Sequence, residues 1–517
     1  MNHLVIAPVL LPLLAGVLLL LLYQQSLLFR RILSIATVIA QIGLAIALMV
    51  AVSSGDILVY ALGNWPAPYG IVLVADRLAA GMLLITGLLS LCVLLYAIRD
   101  TDRAGRHFHV LFQLQLFGLN GAFLTGDLFN LFVFFEILLL ASYGLLLHGG
   151  GRLRTRAGLH FVVINLTGST LFLFAVGTLY GILGTLNMAD LAVRVAATPP
   201  ENVSLVRAAG LLLFGVFALK AALLPLYLWL PAAYAHTSAP VAALFVIMTK
   251  VGAYCILRVY TLIFGDQAGP AAHLIEPWLL PLALLTLIVG TLGAMGSTHL
   301  RQQVAYLVVA SIGSLLTAFG LNNSAGIAAG LYYLPHTTFS AAAFFLLADA
   351  IINRRHPVSD RLDPGPAMAM PRLLGGLFFI TAILVAGLPP LSGFLGKFLM
   401  LRATLTHPAL PWVMGIVLVA ALLSLMTLAR SGSLLFYQTQ PVEVAAAHED
   451  VHISEPAPVL SVSALAGELA PAVALLTLCL ALTFWAGPAT DFAHSTAEQL
   501  LQPSAYIHAV LGNGGNH

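Results

Sequence analysis

Lysine is almost missing from this chain: 517 residues contain three, Lys220, Lys250 and Lys397, and each lies inside an apolar run. A soluble protein keeps most of its lysines in water, and here none is left for a solvated surface. Charge of both signs is scarce, at 8% of residues, with 60% hydrophobic residues and a mean hydropathy of +0.99. Those values exclude a soluble globular protein and indicate a polytopic helical membrane protein. Cysteine is equally rare. Cys92, Cys255 and Cys479 all fall in apolar spans, without the paired spacings of an iron–sulfur or zinc site, and read as buried, inert thiols. No glycine-rich loop stands between a strand and a helix to hold a nucleotide. No cofactor is therefore expected, alone the chain cannot carry electrons from a nucleotide, and nothing suggests a nucleic-acid partner.

What is abundant is apolar sequence. Runs long enough to cross about 30 Å of hydrocarbon fall at 4–23, 32–52, 75–98, 107–126, 128–148, 157–182, 204–226, 240–262, 277–297, 302–321, 325–351, 373–403, 411–436 and 471–488. An all-α fold with about 14 transmembrane helices is expected. The first run lacks a basic n-region and is too long for a signal-peptide core, so it reads as an uncleaved first helix.

The arginines alternate along this series. Arg30, Arg31, Arg99, Arg103, Arg106, Arg152, Arg154 and Arg156 fall in the first, third and fifth loops, and Arg301, Arg354, Arg355, Arg361, Arg372 and Arg430 in the ninth, eleventh and thirteenth. Only Arg77, Arg194, Arg207 and Arg402 lie at even-numbered connections, with Arg258 inside a helix. The positive-inside rule puts the odd loops in the cytoplasm and both termini outside, as for a multi-pass protein of a bacterial inner membrane.

Prolines interrupt two helices. Pro225 and Pro231 follow Lys220 on the seventh, and Gly387, Pro389 and Pro390 precede Lys397 on the twelfth; proline in a helix interior kinks or breaks it. Matching breaks in two halves point to inverted repeats with a midplane site. The resulting division is an N-terminal three-helix region (1–106), a first repeat with broken helix seven (107–262), a second with broken helix twelve (277–436), and an acidic linker, last helix and tail (437–517). Within these, NMADLAVRVA after Leu186 reads as a short interfacial helix, 441–458 as a cytoplasmic linker, and the tail from Asp491 as loosely ordered.

A lysine at the centre of a membrane helix costs roughly 2.5 to 3.5 kcal/mol on insertion scales. Snorkelling is the bland explanation, but Lys250 stands about ten residues from both Pro240 and Tyr260, roughly 15 Å from either interface. Glu136 is the one acidic residue deep in an apolar span. Unpaired there it takes up a proton and becomes a neutral structural group; charged, it needs a cation, for which Lys220 is the candidate. His336 follows Pro335 midway along the eleventh helix. Alone it reads as a satisfied core residue, but beside two lysine-bearing helices it becomes a candidate relay group. Asn165, Thr167, Ser169, Thr170, Ser311 and Ser314 can order water between these groups or serve as helix-packing contacts.

Glu136, Lys220, Lys250, His336 and Lys397, together with NWPAPYGIVLVADRLAA (64–80) and LPPLSGFLGKF (388–398), resemble the D subunit of the Mrp (Mnh, Pha) multisubunit cation/proton antiporters. The chain is more distantly similar to the antiporter-like subunits of respiratory complex I. The resemblance implies 14 helices in two inverted five-helix repeats, a Glu136–Lys220 pair, Lys250 at the centre and Lys397 at the far end of a proton path. It further implies partner membrane subunits, with protons and Na+ or K+ as the ions moved, in a transporter rather than an enzyme. A proton-pumping subunit of an NADH:quinone oxidoreductase is the alternative. Many relatives carry a lysine four residues after the histidine; here that position is Ser340, which shifts weight onto His336 and water.

Overall fold

The structure is a computed structural model that describes residues 3–355, 358–439 and 462–512. Among them, eleven helices are long and apolar enough to cross a membrane, and three shorter apolar helices, Ala7–Leu21, Phe108–Leu124 and Pro371–Ala386, accompany them. The linker expected at 441–458 lies outside the described residues.

The N-terminal region consists of α1 (Ala7–Leu21), α2 (Leu27–Ala51) and α3 (Arg77–Ala97). Ser26 and Asp76 start the second and third by accepting from the backbone N–H three residues on. Between α2 and α3 the chain departs from the all-α expectation. Strands β1 (Leu58–Ala61) and β2 (Val72–Ala75) form an antiparallel hairpin with Leu58 opposite Ala75. Four-residue strands are shorter than any membrane-span window, so hydropathy cannot detect them; β2 is fully buried and the segment Leu62–Gly70 folds back between the strands.

The next group is α4 (Phe108–Leu124), α5 (Leu128–Leu147), α6 (Arg152–Leu183), the short α7 (Met188–Ala196), α8 (Pro200–Ala221), α9 (Trp229–His236) and α10 (Ala239–Leu262). Helix α7 covers NMADLAVRVA: Asn187 caps it, and Met188, Leu191, Ala192 and Val195 form its buried stripe. A parallel series follows, with α11 (Glu276–Gly296), α12 (Leu300–Gly320), α13 (Ser324–Ile352), α14 (Pro371–Ala386), α15 (Ser392–Ala403) and α16 (Leu410–Phe436). The C-terminal part is α17 (Val462–Phe484), α18 (Ala486–Leu501) and α19 (Pro503–Leu511).

As far as residue 512 the tail is not loose. Ala493, Ala497 and Leu500 make a buried stripe on α18, and Tyr506 and Val510 do so on α19. These amphipathic helices are too short and polar to stand out by hydropathy, yet the i, i+4 stripe supplies their packing energy.

Helix α10 is the centre of the molecule, with its whole membrane-length window buried. It packs on α8, α13 and α3. Gly252 permits the closest of these approaches, because a Cβ there would sit 2.4 Å from the Ala221 nitrogen at the end of α8. Contacts between connections sort them into two ends. Arg31 pairs with Asp102, Arg154 donates to the His236 carbonyl, Arg301 meets Asp349 and Arg354 meets Glu468. At the other end Arg77 donates to Ser53 and Ser495 carbonyls, Arg207 to Pro270, and Asn323 to Ala403. Odd-numbered connections meet odd ones and even meet even.

Candidate functional site

Helix α8 stops one residue after Lys220. Ala222 adopts a left-handed conformation (φ 58°), and the chain runs irregularly to α9. Polar groups freed by the break find partners: Thr286 Oγ1 accepts from the Leu224 N–H at 2.9 Å, and Trp229 Nε1 donates to the Leu219 carbonyl at 3.0 Å. The Lys220 side chain is buried. Its Nζ donates to Asn165 Oδ1 at 3.1 Å and lies 5.9 Å from the centre of the Phe135 ring. Asn165 is oriented by its own amide, which donates to the Phe161 carbonyl one helical turn back at 2.9 Å.

Glu136 is half-buried on α5, one residue after Phe135, and its Oε1 is buried without a hydrogen-bond partner. No ion pair joins it to Lys220 among the described residues. The Asn165 amide oxygen accepts from Lys220 instead, so the pair that the resemblance implies is not formed in this structure.

Lys250, near the middle of α10, has no exposed surface, and its Nζ has no hydrogen-bond partner among the described residues. A buried polar group without a partner costs on the order of several kcal/mol in an apolar medium, and a buried charge costs more. The ammonium form at this site bears that cost in full; the neutral amine escapes most of it.

The second interruption separates α14 from α15. Gly387 ends α14 in a left-handed conformation (φ 79°), and Pro389 and Pro390 follow. Lys397, half-buried on α15, turns back to the break and donates to the Ala386 carbonyl at 2.7 Å, covering the negative end of α14. The left-handed φ favours glycine at this position, and the end of the Lys397 side chain passes close over it. His336 is buried on α13, with Nδ1 2.9 Å from Ser392 Oγ at the first residue of α15. His336 and Lys397 border one cavity of about 30 Å3 together with Ser311, Ser314, Thr337 and Ser340. A water needs about 10 to 15 Å3 and two to four polar partners, so this cavity has room for water and hydroxyls to hold it. Of the polar residues singled out in the sequence, Ser311, Ser314, Thr167 and Thr170 all donate to carbonyls of their own helix, and of these Ser311 and Ser314 border the cavity.

A family model described as "NADH:quinone oxidoreductase/Mrp antiporter, TM" matches residues 125–424, the span that holds all five of these titratable residues. The chain belongs to this family. It is similar to the D subunit of a probable K(+)/H(+) antiporter of Rhizobium meliloti, at 39% identity over 99% of this chain and 98% of that one. It is also similar to the D subunit of the Na(+)/H(+) antiporter of Alkalihalophilus pseudofirmus, at 38% identity over 99% and 100%. Among solved structures, a chain of the Mrp complex from Dietzia sp. DQ12-45-1b matches with a TM-score of 0.85 at 30% identity, covering 99% of this chain and 100% of that one. Like these members of the NADH:quinone oxidoreductase/Mrp antiporter family, the chain is a multi-pass membrane protein.

Two features of this family member were not read from its sequence. Ser392 stands in the LPPLSGF stretch, but nothing in the order of residues shows that it faces His336. Asp76, at the end of NWPAPYGIVLVAD, is buried and forms a bidentate pair with Arg258 at 2.6 and 2.7 Å. Arg258 is two turns along α10 from Lys250, between the rings of Tyr254 and Tyr506. The signal was available: a lone arginine inside an apolar helix needs an anion, and Asp76 is a carboxylate at the edge of a span.

Proposed function

We propose that this chain is the proton-translocating membrane subunit of a multisubunit Na+(K+)/H+ antiporter in a bacterial inner membrane. The observation that carries the reading is Lys250: a lysine at the buried centre of the fold, with no counter-charge paired to it among the described residues, between helices bearing Lys220 and His336. The antiporter names of the relatives support the same reading. So does the scarcity of lysine elsewhere, since anchoring and solubility account for none of the three.

In this mechanism Glu136, Lys220, Lys250, His336 and Lys397 form a mid-membrane chain. At an effective dielectric near 20, two unit charges about 4 Å apart interact by roughly 4 kcal/mol, about a thousandfold in proton affinity. A proton on one lysine therefore disfavours charge on the next. Closing Glu136 onto Lys220 holds charge at the start of the chain; opening the pair, with Asn165 taking over the ammonium, releases it toward Lys250. Beyond Lys250 the proton passes through His336 and the water of its cavity to Lys397. Ser340, where many relatives carry lysine, leaves that last step to histidine and water.

The architecture that goes with this is fourteen spans: the fourteen apolar helices, with α9 and α15 as the second halves of the broken ones. Two inverted five-helix repeats cover 107–262 and 277–436. The odd connections face the cytoplasm, and both termini face the periplasm. Cysteines near Asn202 and His407 are then labelled from outside by an impermeant reagent, and one near Arg355 is not. Activity is tested in everted vesicles holding the complete complex, where adding Na+ or K+ collapses the pH gradient. Flavin and iron–sulfur absorption co-purifying with the complex would instead assign the chain to an NADH:quinone oxidoreductase.

A further inference from the structure

On one flank, away from the lysines, a cleft of about 420 Å3 opens between α3, α13, α17 and α18. Its inner wall includes Leu334, Pro335 and Phe339 on α13, and the residue after Pro335, His336, borders the polar cavity described above. The polar side chains on the cleft have their hydrogen bonds elsewhere. The Tyr332 hydroxyl donates to the Leu482 carbonyl at 2.9 Å, and Thr496 Oγ1 to the Phe492 carbonyl at 2.7 Å. The interior side chains therefore offer an occupant mainly apolar contact.

One end is different. Arg77, at the first turn of α3, borders the cleft and donates to the neutral carbonyls of Ser53 (2.7 Å) and Ser495 (3.1 Å). No carboxylate pairs with it among the described residues. Trp485, largely exposed, borders the cleft at the α17–α18 junction, where a tryptophan sits at the headgroup level of a bilayer. Depth can be read along α3, because Arg77 and Leu88 both line the wall. Eleven positions at 1.5 Å each make about 16 Å, half of a hydrocarbon core about 30 Å thick. The cleft thus begins at one membrane surface beside a spare positive charge and ends near the midplane, apolar throughout.

We propose that it holds an acyl chain of an anionic phospholipid, with the headgroup phosphate at Arg77. Filled in this way, it keeps water off the side of α13 opposite the cavity, so that His336 is wetted from the relay side alone.

The test uses the assembled complex, delipidated in detergent and given back phosphatidylglycerol or phosphatidylcholine of the same chain length. Native mass spectrometry reads bound lipid, and a phosphatidylglycerol with a diazirine at its chain end reads position. The wild type should be photolabelled within residues 331–339. Gly81 lines the cleft, and a Cβ there meets only Phe492 Cε1 at 3.7 Å and Met49 Cε at 4.0 Å, so Gly81→Leu grows into the space without moving backbone. It should cut that labelling at least fivefold. Arg77→Gln should keep chain labelling but lower the preference for phosphatidylglycerol over phosphatidylcholine about fivefold, the worth of one basic residue near an anionic lipid surface, and Arg77→Lys should retain it. Absence of label at 331–339 in the wild type overturns the proposal, and so does a headgroup preference unchanged in Arg77→Gln. A benzophenone side chain at Ile85 that crosslinks to another subunit would equally overturn it, assigning the cleft to a protein partner.

Discussion

At the end of α8, Lys220 donates to a side-chain amide beside a cavity of about 10 Å3 walled by Phe135 and Trp229, whereas on α15, Lys397 donates to a backbone carbonyl and borders about 30 Å3 lined by five serine and threonine residues. Both halves use one device, a proline-linked break with a lysine beside it. They differ in the room they leave for water. The first space is at the lower limit for one molecule and the second accommodates water readily, so in the proposed mechanism charge in the first half is handled by side chains that change partners. In the second half it can be passed along hydrogen bonds. A broken helix therefore supplies free backbone groups and space, and the residues around it decide whether the step is an ion-pair switch or a hydrated relay.

The largest effect expected from this contrast is at Glu136. The proposed switch has Glu136 close onto Lys220 during turnover, and removing one partner of a buried pair costs about 3 to 5 kcal/mol, so Glu136→Ala should bring exchange in everted vesicles to background at normal protein level, while Glu136→Asp keeps some. Full antiport by Glu136→Ala would take the switch out of the first half.

Asn165→Leu comes next. It leaves the open-state ammonium without an acceptor, and a hydrogen bond to a charged group is worth about 1.5 to 3 kcal/mol, so the exchange rate should fall about ten- to a hundredfold. A rate within twofold of wild type would mean that Lys220 never rests on the amide during turnover.

In the hydrated half a smaller loss is expected from crowding the cavity. Ser340→Val removes a hydroxyl and adds apolar bulk; about 1 kcal/mol, or roughly a fivefold drop in rate, follows from one lost hydrogen bond, and Ser340→Thr should recover most of it. Equal rates for the valine and threonine variants would argue against water as the carrier there.

Least of all should change at Asp102, in a connection outside the spans. Burial pushes its carboxyl up, but hydrogen bonds from His109 and Arg31 outweigh that and hold it at about 2. A carboxyl lowered from about 4 in the unfolded chain contributes stability that is present above pH 4 and lost as pH falls through about 2. The difference in melting temperature between wild type and Asp102→Asn should stay constant from pH 7 to pH 5 and close only below pH 4. Closure by pH 5 would show that the Arg31 and His109 contacts do not hold the carboxylate.

Much of this was legible in the residues. Hydropathy marks every long span because the bilayer sets its length, and proline marks both interruptions because the lost N–H is local. Glu136 and the lysines stand out because charge inside an apolar run is rare and costly. The hairpin and the helices after Asp491 escaped, since four residues of strand and an amphipathic stripe leave no mark on a membrane-length window. Contacts across the chain escaped too. Asn165 and Ser392 are ordinary polar residues until α8 and α13 bring Lys220 and His336 to them, and Asp76 is a helix cap until Arg258, 182 positions away, claims its second face.

The central claim is that Lys250 carries protons rather than holding the fold together, and Lys250→Met in the complete complex tests it most directly. Methionine keeps much of the stem and removes the charge, and exchanging a buried charge for an apolar residue is often neutral or stabilising for folding. The account predicts a complex that assembles normally on native gels while cation-dependent collapse of the pH gradient drops to background, with Lys250→Arg failing as well because guanidinium does not release its proton. Wild-type exchange by Lys250→Met, or disappearance of the complex from the membrane, would contradict it.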